Sequence, residues 1–214
     1  MKIAILGQGG HSKVIQDLIS LNCNFQIIAY LDDKYKELSM KEDTFYGPIS
    51  SVESLINIDK DVKFIIAIGN NKIRRLIANK VKLPNESYIT LIHSTASVSP
   101  SAKIGYGSVI MAHTVINSDT QIGDHTIINT GSVIEHDNQL GSFVHISPNA
   151  TLTGTVKIED GVHVGAGATI IPSVTIGEWS VIGAGATVID RIPSNSTAVG
   201  VPARVKNKQM IEGV

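Results

Sequence analysis

Two stretches of the chain bring together residue types that can move a proton or hold an anion. The first is the adjacent pair His136-Asp137. An imidazole has an unperturbed pKa of about 6.5, so it can take up a proton near neutral pH and return it. A carboxylate beside it can hold one ring nitrogen as N–H and raise the basicity of the other. The second is the glycine turn Gly7-Gln8-Gly9-Gly10-His11, placed after an apolar run and before an amphipathic stretch. Such a turn lets backbone N–H groups approach a phosphate at a helix N-terminus, and acids ending the next strand, here Asp32 and Asp33, can reach ribose hydroxyls. Ser12 stands where the dinucleotide fingerprint has its third glycine, so a ligand-free tight turn stays open as a reading of these residues alone. The single cysteine, Cys23, excludes an internal disulfide and a Cys-rich zinc site, and reads as packing before a strand.

The histidine pair sits inside a strict six-residue repeat. Every sixth residue from Val98 through Ile104, Ile134 and Ile158 to Val188 is aliphatic, and four residues after each comes a small or β-branched side chain, with Asn138 the exception. In an extended strand these two positions share one side while their neighbours point outward, leaving two residues to turn a corner. Short strands and corners at fixed spacing describe a prism filled by stacked aliphatic side chains. The pattern resembles the hexapeptide-repeat acyltransferases, which implies three sides, eighteen residues per coil and a left-handed winding against the usual crossover rule. The run to about Pro193 then makes roughly five coils of ~4.8 Å each.

On such a prism His136 occupies a corner, and the residue one coil later is Gly154. Bare backbone above a histidine leaves room for a thioester and exposes an N–H that can meet a developing oxyanion. His145 and His163 are also one coil apart at an outward position, so they should stack on one flat face; a metal held there, as in the related γ-type carbonic anhydrases, is the alternative. His113 and His125 read as exposed corners, and His93 as a structural residue at the domain junction.

Residues 1–90 read as a Rossmann-like domain. Lys2 to Leu6 forms a buried strand, a helix runs from the glycine turn to about Leu21, and a second strand covers Gln26 to Leu31. A helix around Ser51 to Ile56, a strand from Lys63 to Ile68 and a helix opened by Gly69-Asn70-Asn71 and running through about Lys80 complete it. The expected organisation is thus an α/β nucleotide-binding domain over 1–90, an all-β left-handed parallel β-helix over 91–206, and a tail over 207–214.

The composition is that of a globular protein, 43% hydrophobic and 17% charged, and a net charge of −1 supplies no field to attract a nucleic-acid backbone. Four apolar residues before Gly7 are too few for a secretory segment and no run approaches a membrane span, so a cytoplasmic location without membrane insertion is expected.

The ordered set Gly-x-Gly-Gly-His, Leu31-Asp32-Asp33, Ile68-Gly69-Asn70-Asn71, Ile92-His93-Ser94, Ile134-Glu135-His136-Asp137 and Val199-Gly200-Val201-Pro202-Ala203-Arg204 resembles the sialic acid O-acetyltransferase family, in particular its nucleotide-4-amino-sugar N-acetyltransferase branch. The resemblance implies that His136 and Asp137 are the catalytic pair, with an aspartate where the family commonly has glutamate. It places His145 and Gly154 near the acetyl group, Ala166 and Ala184 against coenzyme A, and the sugar nucleotide on Gly9, Gly10, His11, Asp32, Asp33, Gly69 and Asn129. It further implies acetyl-CoA as cosubstrate, no metal, and a homotrimer with its active sites between neighbours.

The resulting expectation is acetyl transfer to the amino group of a nucleotide-linked sugar, a UDP-4-amino-4,6-dideoxy sugar of bacterial glycan or exopolysaccharide synthesis, by direct attack with His136 as general base. Transfer to a hydroxyl by the same fold and cosubstrate is the alternative. An NAD-dependent dehydrogenase would use the glycine turn but leave the β-helix idle, and a self-stacking rod would leave His136 and Asp137 idle.

Overall fold

The computed structural model describes residues 1–206, and the expected tail at 207–214 lies outside the described residues. The N-terminal sheet is built from β1 (Lys2–Leu6), β2 (Gln26–Leu31), β3 (Ser39–Lys41), β4 (Thr44–Gly47) and β5 (Lys63–Ile66), in the order β3-β4-β2-β1-β5. All neighbours run parallel except the edge pair β3 and β4. Central β1 is fully buried from Ile3 to Leu6, which is why it reads as a continuous apolar run. Helix α1 (Gly10–Ser20) buries Ser12, Ile15, Leu18 and Ile19 at helical spacing.

The middle of this domain differs from the sequence expectation. The segment between Leu31 and Ile49 forms a hairpin whose two central residues, Glu42 and Asp43, both have positive φ (48° and 62°). Such turns usually announce themselves by Asn-Gly or Asp-Gly, and a Glu-Asp pair does not. A 3₁₀ turn at Ile49–Ser51 then leads into α2 (Val52–Ile58), and β5 ends two residues earlier than expected, at Ile66. Helix α3 (Asn71–Val81) starts under a side-chain cap, the Asn70 Oδ1 accepting from the Ile73 N–H at 3.1 Å.

From Leu91 onward, two-residue strands fall into three parallel sheets, each built from every third strand. The pairing register is eighteen residues throughout: Val115 opposes Val133, Gln121 opposes Gln139 and Ile127 opposes His145. The sixth-residue aliphatics from Ile110 to Val188 fill one continuous core. The buried hydroxyls of Ser108, Thr120 and Thr126 bond to carbonyls fifteen residues on, as in Thr120 Oγ1 to Glu135 O (2.8 Å), while those of Thr114 and Ser132 bond to the carbonyl three residues before. Asn138 does the same with two arms, accepting from Val156 N–H at 3.1 Å and donating to Thr153 O at 3.0 Å, which explains why the exception is tolerated.

At the corners from His113 to Gly185 the second residue takes left-handed φ, Asp137 at 59° and Phe143 at 58° among them, and its N–H donates to the preceding coil, as Asp137 does to Ser118 O at 3.0 Å. The face made by Val109–Ile110, Ile127–Ile128, His145–Ile146, His163–Val164 and Val181–Ile182 is extended by Thr197–Val199, on which Arg204–Val205 lies antiparallel. The domains share a core, Leu91, Val109 and Met111 packing with Ile3, Ile5 and Ile15.

Candidate active site

His136 and Asp137 project from the corner between the strands Val133–Ile134 and Gln139–Leu140. The His136 Nδ1 lies 2.8 Å from the Asp137 Oδ2, and both side chains are largely exposed, at 59% and 57%. A carboxylate accepts only, so Nδ1 carries a proton, and in the neutral ring the lone pair is on Nε2. One coil above, a methyl group added to Gly154 would sit 2.7 Å from both Nε2 and Cε1 of that ring. The glycine thus leaves the basic nitrogen unobstructed, the arrangement that the eighteen-residue spacing suggested.

The second cluster lies on the face opposite that corner. His145 and His163 stack with ring centroids 4.9 Å apart and planes 15° from parallel. Asn129 Nδ2 meets His145 Nε2 at 3.2 Å, His145 Nδ1 meets Gly69 O at 3.3 Å, and Ser147 Oγ meets His163 Nε2 at 2.9 Å. With these nitrogens engaged, the stacked pair does not converge on a common point, and among the described residues no group of three potential metal ligands gathers. Burial, then the neighbouring His163 and Arg74, pushes the His145 pKa down to about 3; burial also lowers that of His163. A 370 Å³ cleft opens beside them, lined by Gly69, Asn70, Lys72, His145, His163 and Trp179.

The glycine turn lies in the N-terminal domain. Gly7 has φ of +98° and its bare Cα accommodates the Ile68 side chain, whereas Gly9, Gly10 and Gly69 face open space. Helix α1 has no side-chain cap, so its first N–H groups are free for an anion. His11, its pKa lowered to about 4 by burial and by Arg74, keeps a buried Nε2 without a partner.

The two acids are already engaged. Asp32 accepts from the Gln8 N–H at 2.7 Å and from the Lys34 N–H at 3.0 Å, so it shapes the turn. Asp33 accepts from the Ile49 N–H at 3.0 Å and pairs with Lys80 at 3.2 Å, with half its side chain still exposed. Ala166 and Ala184 stack one coil apart on a third location, the exposed corner after the His163 and Val181 strands, beside the bare backbone of Gly167 and Gly185.

One chain therefore gathers His145, Asn129, Gly69 and the cleft, and separately His136, Asp137 and Gly154. The sheet order places the two groups on a corner and on the face opposite it.

Three positions depart from the sequence reading or escaped it. His125 is buried, not an exposed corner: its ring lies 5.1 Å from that of Phe143 and 4.5 Å from that of Tyr88, because the N-terminal domain packs over this edge. Asn71 and Arg74 are buried polar side chains on α3; Asn71 stood in the Gly69-Asn70-Asn71 motif without a role of its own, and Arg74 stood out only through the cationic run Lys72, Arg74 and Arg75.

Comparison with known proteins gives a family. Residues 2–81 match the PglD N-terminal domain and residues 155–190 the bacterial transferase hexapeptide (six repeats). UDP-N-acetylbacillosamine N-acetyltransferase of Bacillus subtilis (strain 168) is 49% identical over 110 residues, 51% of each chain, so the match spans about half the length of that curated relative. PerB from Caulobacter crescentus, solved with CoA and GDP-perosamine, superimposes with a TM-score of 0.87 at 33% identity over 97% of this chain and 98% of that one. The acetyltransferase domain of PglB from Neisseria gonorrhoeae FA1090, solved with acetyl coenzyme A, gives 0.82 at 35% identity over 96% and 98%. These names favour the N-acetyltransferase branch over the sialic acid O-acetyltransferases of the wider resemblance. Similarity at this level over nearly the whole of both chains, on a shared two-part fold, shows that the chain belongs to the hexapeptide-repeat nucleotide-amino-sugar N-acetyltransferases with a PglD-type N-terminal domain.

Proposed function

We propose that the protein transfers the acetyl group of acetyl-CoA to the amine of a nucleotide-linked amino sugar. The observation that carries this reading is the His136 ring held by Asp137 beneath the bare Gly154. His136 Nε2 takes a proton from the sugar nitrogen as that nitrogen attacks the thioester carbonyl. The Gly154 N–H, which has no acceptor among the described residues, faces the oxyanion. The C–N bond forms, the C–S bond breaks, and CoA leaves as the thiol with the proton returned from His136. No covalent enzyme intermediate is needed.

The sugar nucleotide binds with its diphosphate at the α1 N-terminus near Gly9, Gly10 and His11, with Asp33 and the Asp32-shaped turn toward the nucleoside and Gly69 and Asn129 toward the sugar. Acetyl-CoA lies along Ala166 and Ala184, with its thioester at His145 and at the Gly154 of a neighbour. Because His136 and the cleft lie across the prism from each other, the complete site needs a second subunit, and a cyclic homotrimer supplies it. The relative named for a UDP sugar supports a UDP-4-amino-4,6-dideoxy sugar of bacterial glycan synthesis as substrate, and a cytoplasmic site of action follows from these cosubstrates. CoA thiol release measured against a panel of UDP- and GDP-linked amino sugars, with hydroxyl-only analogues as controls, tests the reading. Turnover of the hydroxyl analogues alone would replace it by O-acetylation.

A further inference from the structure

Arg74 is 1% exposed, and its hydrogen-bond partners among the described residues include no carboxylate. Burial lowers its pKa to about 9, which still leaves a cation at neutral pH. Leaving such a charge without hydrogen bonds would be prohibitive, and here every N–H has an oxygen. Nε donates to His125 O at 2.7 Å. Nη2 donates to Asn71 Oδ1 at 2.9 Å and toward Phe143 O and Val144 O at 3.0 and 3.1 Å. Asn71 Nδ2 continues the series to Gly161 O and Val162 O, both at 3.1 Å. Residues 125, 143 and 161 are the same corner on three successive coils. Two side chains three residues apart on α3 thus bind three rungs of one edge.

The remaining arm turns the other way. Nη1 donates to Ile68 O at 2.9 Å and Gly69 O at 3.2 Å. The Gly69 carbonyl also faces His145 Nδ1, and the Asn129 contact decides which nitrogen of that ring is protonated. Asn129 Oδ1 accepts from the Thr130 N–H at 2.8 Å, so Asn129 presents its NH₂ to His145 Nε2. A donor at Nε2 requires a lone pair there, and the ring proton must then sit on Nδ1, pointing at Gly69 O.

We infer that Arg74 is a positioning residue for the transfer reaction: it fastens Gly69 to the β-helix so that the Gly69 carbonyl accepts from the Nδ1–H of His145, supporting beside the cleft the tautomer that the Asn129 amide selects. The inference rests on the acetyl-transfer reading and on the placement of the thioester at His145. Lysine cannot replace arginine here, because an ammonium has no planar fork to serve the corner carbonyls and the Ile68–Gly69 carbonyls at once.

Histidine ¹⁵N spectra of the intact wild-type protein test the first half. His145 is expected as the neutral Nδ1–H tautomer from pH 5 to 8, and the opposite tautomer, or a ring that protonates within this range, overturns the inference. Arg74→Lys tests the second half. The variant is expected to keep its oligomeric state and its KM for acetyl-CoA, to lose kcat by about 10²-fold, the scale of a 1 Å misplacement, and to show mixed His145 tautomers. Wild-type kcat in this variant overturns the positioning role. Should Arg74→Lys not fold, Arg74→Gln takes its place, with the same kcat loss expected and wild-type kcat again overturning the positioning role. The spectra need no substrate, so failure of the wild type to acetylate any nucleotide amino sugar would be recognised separately, as failure of the functional reading.

Discussion

The Cα of Gly154 lies over the Nε2–Cε1 edge of His136 from the next coil, so near that an alanine methyl there would come within 2.7 Å of both atoms. The ring is the exposed end of a mobile side chain and can swing aside, and no left-handed φ is recorded for Gly154. Gly154→Ala should therefore leave thermal stability nearly unchanged while displacing the ring from Asp137. A kcat loss of about 10²-fold with an unaltered melting temperature is expected, measured by CoA thiol release beside calorimetry.

Removing the base itself should cost more. His136→Ala is expected to lose about 10²–10⁴-fold in kcat, the usual contribution of a general base, while still binding acetyl-CoA. Asp137→Ala should lose less, since it orients the imidazole and exchanges no proton with the substrate. Wild-type turnover in His136→Ala would make His136 a structural corner residue. Activity that persists there but vanishes on Cys23→Ser would indicate an acyl-enzyme route.

Placement of the two clusters on opposite sides of the prism predicts complementation between inactive chains. His136→Ala subunits and Asn129→Ala subunits, mixed and reassembled, should form some sites with both intact halves. For random assembly in a cyclic trimer about a quarter of the sites are restored. Sedimentation as a monomer at micromolar concentration, or no recovery on mixing, would place the complete site within one chain.

Sugar-nucleotide affinity and acetyl-CoA affinity should separate in Asp33→Ala. Its half-exposed carboxylate leaves room for a nucleoside contact, and such uniform binding appears in KM. The sugar-nucleotide KM should rise while that of acetyl-CoA stays nearly constant; an equal rise in both would indicate a disturbed fold.

Acid should loosen the domain junction. Burial lowers the pKa values of His11 and His125 to about 4 and that of His145 to about 3, from an unfolded value near 6.5. Between those limits the unfolded chain binds protons that the folded chain refuses. The contribution is complete above pH 6.5 and is lost as pH falls toward 4, with a slope of at most about 4 kcal/mol per pH unit for three histidines. Calorimetry from pH 7 to 4.5 should show this, and His125→Phe, which keeps the stack with Phe143, should flatten the slope by about a third.

The prism was legible because its core demands one aliphatic residue per side, a constraint written on every sixth position. The His145–His163 stack and the Gly154–His136 contact followed from the same spacing. Corner conformation was not legible: left-handed φ is adopted there by Asp137, Phe143, Thr155 and Trp179 alike, since stacking on the coil below overrides residue preference. The hairpin at Glu42-Asp43 lacked turn chemistry, and the burial of His125 and the Arg74 contacts depend on where one domain rests upon the other, which no local period records.

The strand Arg204–Val205, laid antiparallel on Thr197–Val199, has a bearing on solubility. Each parallel rung of this face is a template for another, and an open last rung would invite the first coil of a second molecule to continue the stack. The reversed strand replaces that rung by an edge only two residues long that carries the Arg204 charge, two features that blunt an edge against a newcomer. Along this face a second copy meets a short, charged edge where a ready parallel rung would otherwise stand, which disfavours end-to-end growth of the rod.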